Sequence, residues 1–393
     1  MSKNRRLVTR RHALQLGLAS LVGVGASVTV EAMRQNYQAQ QNQALDNPRR
    51  NFTVVGQNSL KKRAAAKGLI YGAATEQVKL SSDIAFATHY VQECGILVTE
   101  NQLKWIILRP TPDRFDFTPG DWLAEFARTH GMLFRGHTLV WEQVLPKWFG
   151  EVVNRQNAEK ILVEHITEVV KHYSGKVHSW DVVNEAIAVS YSNRPDGLSL
   201  NPWMLFLGES YIDLAFRTAA AADPHTMLVY NDRWLDYDTP RDNAQRIAVL
   251  KLLERLKTSG TPLHALGIQA HLNASETRFN PKKLRKFLAD VASLGLKILV
   301  TELDVIDKDL PKDIKVRDRI VASVYEDYLN VVLDEKAVIA VLTWGLSDRY
   351  TWLATYEPRK DRAPVRTLPL DSNLKPKLAW NAMARAFDNA PKR

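Results

Sequence analysis

From residue 56 onward the chain alternates two hydrophobic patterns. Short apolar runs of strand character occur at 69–74, 96–99, 133–138, 177–183, 227–231, 265–269, 298–303 and 338–343. Between them lie amphipathic stretches, clearest at 158–173, 243–256 and 281–294, where apolar residues recur with a helical period. Repeated strand–helix units of this kind imply a parallel sheet with an outer layer of helices. Eight of them in one stretch predict an α/β fold closed into a (β/α)8 TIM barrel, a single catalytic domain over 56–390. A doubly wound open sheet is the alternative, but it wants a Gly-rich phosphate turn after an early strand, and the sequence has none.

Almost every predicted strand ends on polar or aromatic residues. In order these are Thr75-Glu76, Glu100-Asn101, His137, Asn184-Glu185, Asn231-Asp232, Gln269 with His271, Glu302 with Asp304, and Trp344. Any one of them alone reads as a strand-end cap or turn. Gathered at the C-terminal rim of one barrel, they predict an active site.

The N-terminus follows a different pattern. Basic residues precede an uncharged run of Ala, Leu, Val and Gly from Ala13 to Val30. A positive segment followed by an apolar run is the pattern of an export leader, expected over 1–32. Thr9-Arg10-Arg11-His12-Ala13-Leu14 resembles a twin-arginine signal, with His12-Ala13 in place of the usual bulkier residues. An uncleaved membrane anchor is the competing reading, because the apolar run reaches the lower limit for a spanning helix. Either way the catalytic body is expected outside the cytoplasm, periplasmic or secreted, touching membrane only through an uncleaved leader. Residues 33–55, rich in Gln and Asn at the start, read as a linker.

The 393 residues carry a net charge of +10, which first suggests a nucleic-acid partner. Its location argues otherwise: residues 1–32 hold +4 and residues 33–67 hold +6, leaving the body near neutral. Nucleic-acid binding is therefore not expected. The lone Cys94 reads as a small buried hydrophobe, and no Cys/His spacing suggests a metal site.

Two runs, Trp180-Asp181-Val182-Val183-Asn184-Glu185 and Ile298-Leu299-Val300-Thr301-Glu302-Leu303-Asp304, each end an apolar strand on a glutamate. At the fourth and seventh strand ends the two carboxyls would bracket a glycosidic bond. One, protonated at working pH, gives its proton to the leaving oxygen; the other, ionised, attacks the anomeric carbon. Asn184 is placed to orient a sugar 2-hydroxyl, and His271 to touch Glu302. Trp141, Trp344 and Trp352 follow the third and eighth strands, where flat rings stack on pyranoses. Glu100, Asn101 and Lys104 form a polar cluster after the second strand.

The chain resembles the family-10 glycoside hydrolases, retaining endo-β-1,4-xylanases, from about Leu60 to Trp380. The resemblance rests on Leu60 through Gly68, Glu100-Asn101-Gln102-Leu103-Lys104, Gly136-His137-Thr138-Leu139-Val140-Trp141, the Asn184-Glu185 and Glu302 runs, Gly267-Ile268-Gln269-Ala270-His271, and Trp344-Gly345-Leu346-Ser347-Asp348 with Trp352. It implies Glu185 as acid/base and Glu302 as nucleophile. It also implies that Glu100, Asn101, Lys104, His137, Trp141, Asn184, Gln269, His271, Trp344 and Trp352 bind the glycone. It implies a xylan or related β-1,4-glycan as substrate, no metal or organic cofactor, and a monomer. The alternatives are the same chemistry on another β-glycan, or a glycan-binding protein without turnover. Three positions depart from the family: Glu142 stands where a His is usual, Val144 where Gln is frequent, and Arg233 where Tyr is frequent. The last two positions tend to face the cleft near the cut.

Overall fold

The computed structural model describes residues 45–276 and 279–393. The expected leader and the first part of the expected linker lie outside the described residues. The strands are β1 (Ile70–Thr75), β2 (Ile96–Thr99), β3 (Leu133–Val140), β4 (Ser179–Asn184), β5 (Met227–Asp232), β6 (Ala265–Ile268), β7 (His271–Asn273), β8 (Lys297–Ile306) and β9 (Val338–Thr343). All their pairings are parallel. They run in sequence order from β1 to β6; β6 then pairs with β8, β8 with β9, and β9 with β1, which closes the ring. The short β7 pairs only with the outer end of β8, His271 lying opposite Asp304. It prolongs the sixth barrel position beyond a bend at Ala270, whose φ is +59°. The barrel is thus eight-stranded, as the alternating pattern predicts.

The barrel lumen is filled by a small apolar cluster that includes Ala74, Ile96, Val98, Val229, Ala265, Leu299, Ala340 and Leu342, with Trp344 joining it. A larger cluster lies between the strands and the helices. The helix Ala158–His172 shows why the outer layer forms. Its buried residues Ala158, Ile161, Leu162, His165, Ile166, Val169 and Val170 fall at three- and four-residue steps on one face. Each fully buried Leu or Ile there contributes about 1.5–3 kcal/mol. The helix Pro240–Thr258 starts on Thr239, whose hydroxyl accepts from the Asp242 amide, with proline in its first turn.

Two glycines serve the site. A Cβ on Gly136 of β3 would lie 2.1 Å from the Trp180 ring, so only glycine lets β3 approach β4 there. A Cβ on Gly267 of β6 would lie 2.2 Å from Asn231 Oδ1.

The expected linker runs to residue 55, yet its described part is tied to the body. Asp46 pairs with Arg319 at 2.5 Å, Arg50 with Glu326 and Asp327 at 2.6 Å, and Phe52 is buried. These anchors are long-range, so no local period announces them. Cys94 is buried and unbridged, and burial followed by the Glu93 charge pushes its thiol well up.

Candidate active site

Because the strands are parallel, their C-terminal ends meet at one rim. There a cleft of about 440 Å³ opens. All twelve residues expected from the sequence line it: Glu100, Asn101, Lys104, His137, Trp141, Asn184, Glu185, Gln269, His271, Glu302, Trp344 and Trp352.

Glu302 sits in β8 and is buried. Asn231, in β5, donates to its Oε1 at 2.8 Å, and His271 Nε2 lies 3.0 Å from its Oε2. Burial alone would raise this carboxyl. The bond from His271, the charges of His137 and His271, and the bond from Asn231 outweigh burial and hold it at about 2. His271 in turn places Nδ1 3.0 Å from Asp304 Oδ1, and Trp352 Nε1 donates to Asp304 Oδ2 at 2.8 Å. Burial would lower the imidazole, but Asp304 and Glu302 overcome it and raise His271 to about 10. The expected contact between His271 and Glu302 is therefore present, as an ion pair braced from behind.

Glu185 follows β4 directly and takes φ +57°, a conformation that non-glycine residues rarely adopt. Its Oε1 accepts from Gln269 Nε2 at 2.9 Å and from Asn184 Nδ2 at 3.3 Å. Its Oε2 is 3.0 Å from the Arg233 guanidinium and 3.3 Å from Gln143 Nε2. Asn184 Oδ1 receives Asn231 Nδ2 at 2.9 Å and Gln269 Nε2 at 3.3 Å. These bonds fix the amide so that Asn184 Nδ2 faces the Glu185 side.

Asn231 is the hub that sequence reasoning passed over as a strand end. One amide group serves both Glu302 and Asn184, while its Oδ1 takes the Thr301 hydroxyl at 2.7 Å. Its register opposite Asn184, and opposite Gly267 across β6, is the signal that points to it.

The other wall is aromatic and cationic. Lys104 Nζ lies 5.1 Å from the Trp141 ring centre and 5.9 Å from that of Trp344. It donates to Asn101 Oδ1 at 3.1 Å. Burial lowers the Lys104 ammonium, and the charges of Glu302, Glu100 and Glu185 partly restore it. Glu100 takes its ion pair from Lys79 at 2.7 Å rather than from Lys104. Lys79 lies on the helix Gln77–Ser82 and carries no recognisable signal in the sequence. Burial raises the Glu100 carboxyl despite Lys79. His137 Nδ1 is 2.9 Å from Asp181 Oδ2, and Arg135, fully buried beneath, contacts the other oxygen of Asp181.

Of the three departures, Arg233 lines the cleft. Glu142 is half-buried and pushed up to about 7, by burial first and then by the Glu185 charge. Val144 does not line the cleft; Gln143, one residue earlier, does. The segment Glu142–Val144 is a single 3-10 turn, and its phase decides which side chain turns inward.

A closed parallel barrel with two buried glutamates at one rim, ringed by amides and tryptophans, is the architecture of a barrel glycosidase. The sequence model of Glycosyl hydrolase family 10 matches residues 59–386, and the chain belongs to that family. Among its relatives, a beta-1,4-xylanase of Dictyoglomus thermophilum is 37% identical over 295 residues, covering 72% of this chain and 79% of the relative. Endo-1,4-beta-xylanase B of Thermotoga neapolitana is 33% identical, covering 76% and 82%. Native xylanase 10B of Thermotoga maritima superposes with a TM-score of 0.76 at 31% identity, covering 84% of this chain and 98% of that one. Xylanase 10B of Thermotoga petrophila, solved with xylobiose, has a TM-score of 0.76 at 30% identity, covering 86% and 99%.

Proposed function

We propose that the protein is an endo-1,4-β-xylanase that cleaves xylan with retention of anomeric configuration. The observation that carries this reading is a buried Glu302 held ionised at about 2 by His271 and Asn231. In the first step a Glu302 oxygen attacks the anomeric carbon, and the bond to the leaving oxygen breaks as Glu185 delivers its proton there. In the second step Glu185, now a carboxylate, takes a proton from water, the water oxygen bonds to the anomeric carbon, and the bond to Glu302 breaks. Asn184 Nδ2 is the group offered to the 2-hydroxyl, a contact that strengthens in the transition state. Trp141, Trp344 and Trp352 supply sugar-stacking rings. The xylanase names of relatives at 33–37% identity and the xylobiose bound by the Thermotoga petrophila enzyme support the choice of polymer.

Reducing-sugar release from xylan by the full chain, with Glu302→Gln as control, tests the reading. Activity that vanishes in the variant supports it; activity retained in the variant overturns the assignment of Glu302. Turnover of another β-1,4-glycan in place of xylan overturns the polymer. Binding of xylan without release of any sugar would leave a glycan-binding protein. The identity of the first-formed anomer, read by NMR, tests retention.

Export through the twin-arginine route is the second element of the proposal. It rests on Arg10-Arg11 and the apolar run after them. Replacing both arginines by lysine should leave activity inside the cell, and unchanged export would refute the route. We also propose that the protein is a monomer, to be read by light scattering.

A further inference from the structure

The Glu185 side of the cleft carries two guanidinium groups gathered on one tryptophan. Arg233 directly follows β5, and Trp234 follows it; both line the cleft. The Arg233 guanidinium carbon lies 4.3 Å from the Trp234 ring centre, and that of Arg241 lies 4.5 Å from it. One ring thus holds two guanidinium groups by cation–π contact. Trp234 has φ +60°, a backbone conformation in which a bulky residue persists only when its surroundings hold it there. Arg233 uses one NH2 on Glu185, while its buried Nε meets no acceptor among the described residues. Arg241 gives Nε and one terminal nitrogen to Asp242 and stays 43% exposed. Arg233 Nε is itself out of reach of a ligand, so the donors left are the second terminal nitrogens of Arg233, in the cleft wall, and of Arg241, beside it.

We propose that Arg233 and Arg241, fixed on Trp234, form a subsite for a carboxylate-bearing sugar, a uronic acid substituent of the xylan chain on the leaving-group side. This rests on the xylanase reading and on Glu185 as the acid. A sugar carboxylate presents two coplanar oxygens that match the fork of a guanidinium; a neutral xylose unit presents none. The facing acidic groups are Glu142, Glu185, Asp232 and Asp242. Asp242 is occupied by Arg241, Thr239 and the Tyr237 amide. Burial, then the Glu185 charge, push Glu142 up to about 7, and burial pushes Asp232 up to about 7 against the pull of Tyr230 and Arg233. Toward pH 6 these two carboxyls are mostly protonated and compete less for the guanidinium groups.

The test measures calorimetric Kd at pH 6 for two xylo-oligosaccharides of equal length, one neutral and one bearing glucuronic acid. The protein is the full chain with Glu302→Gln, so that neither ligand turns over. The acidic ligand should bind about tenfold or more tightly, and adding Arg233→Gln or Arg241→Gln should each remove most of that ratio. Raising the salt should shrink it too. A ratio at or below one, or a ratio unchanged in both arginine variants, would overturn the subsite. Because the readout is a ratio within one protein, general damage by either substitution leaves it intact. Xylan hydrolysis by the unsubstituted chain is read separately, so failure of the xylanase reading is distinguishable from failure of the subsite.

Discussion

Replacing His271 by Asn removes a cation that touches Glu302 and Asp304 at 3.0 Å each. Glu302 keeps the Asn231 bond and the charge of His137 but loses the His271 bond and charge. The gap between an ordinary 4.5 and about 2 is worth about 3 kcal/mol in favour of the carboxylate. His271 supplies two of the four influences that lower Glu302, so its removal should return roughly half of that gap or more. The acid limb of kcat/KM against pH, which reports the free enzyme, should therefore rise by about 1–2 pH units. Stability follows with a definite sign. His271 is raised to about 10, so its contribution is full below 6.5 and is lost as pH rises through about 10. Glu302 is lowered to about 2, so its contribution is full above 4.5 and is lost as pH falls through about 2. Both operate fully between pH 4.5 and 6.5, and there the variant's melting temperature should fall most. The assay is a pH profile from 3 to 10 on a neutral xylo-oligosaccharide, with circular dichroism to confirm the fold. An acid limb that stays put in a folded variant would refute the argument that His271 sets the ionisation of Glu302.

Three further outcomes are expected. If Glu302 is the nucleophile, as proposed, Glu302→Gln should lower turnover by about 10⁴-fold or more with the fold and xylan binding intact. Glu142 has its carboxyl raised to about 7, so ionising it costs stability increasingly as pH rises from 4.5 toward 7; Glu142→Gln should stabilise the fold by about 1–2 kcal/mol near pH 8 and by little at pH 4, read by thermal melts at both. Asp181→Asn leaves the fully buried Arg135 without its counter-charge and should destabilise by about 3–5 kcal/mol in urea unfolding, whereas a cost under 1 kcal/mol would mean that Ser179 alone satisfies the guanidinium.

Most of the frame was legible because it obeys periods. Eight apolar runs became eight barrel positions, and the polar residues after them met at one rim because parallel strands share an end. Glu185 and Glu302 stood out for the same reason. What stayed hidden was contact between elements without a period of its own. Asn231 looks like any strand-end amide until the register sets it beside Asn184 and above Gly267. Lys79 reaches Glu100 from a helix 21 residues earlier. Gln143 rather than Val144 meets Glu185 because one 3-10 turn sets the phase. The expected linker held Asp46 and Arg50, whose partners lie hundreds of residues away.

Two of the three departures from the family pattern, Glu142 and Arg233, lie on the Glu185 side of the cleft, and Arg233 meets Glu185 Oε2 directly. Glu302 is held by Asn231, which is fixed by Thr301, and by His271, which is fixed by Asp304; all four lie within strands, His271 in the short β7 that extends the rim. Glu185 Oε1 is likewise bound by Gln269 and Asn184 at the barrel rim. Glu185 Oε2 alone meets loop residues, Arg233 and Gln143, with Glu142 beside them. On the roles proposed above, the nucleophile needs one fixed geometry, and the strands supply it. A group that must release a proton in one step and take one in the next needs partners that can rearrange, and loops supply those. On these proposed roles, substitutions at 142, 143 and 233 should act on the proton-transfer side, through the surroundings of Glu185 Oε2, and shift the pH response while the strand-held contacts of Glu302 stay in place.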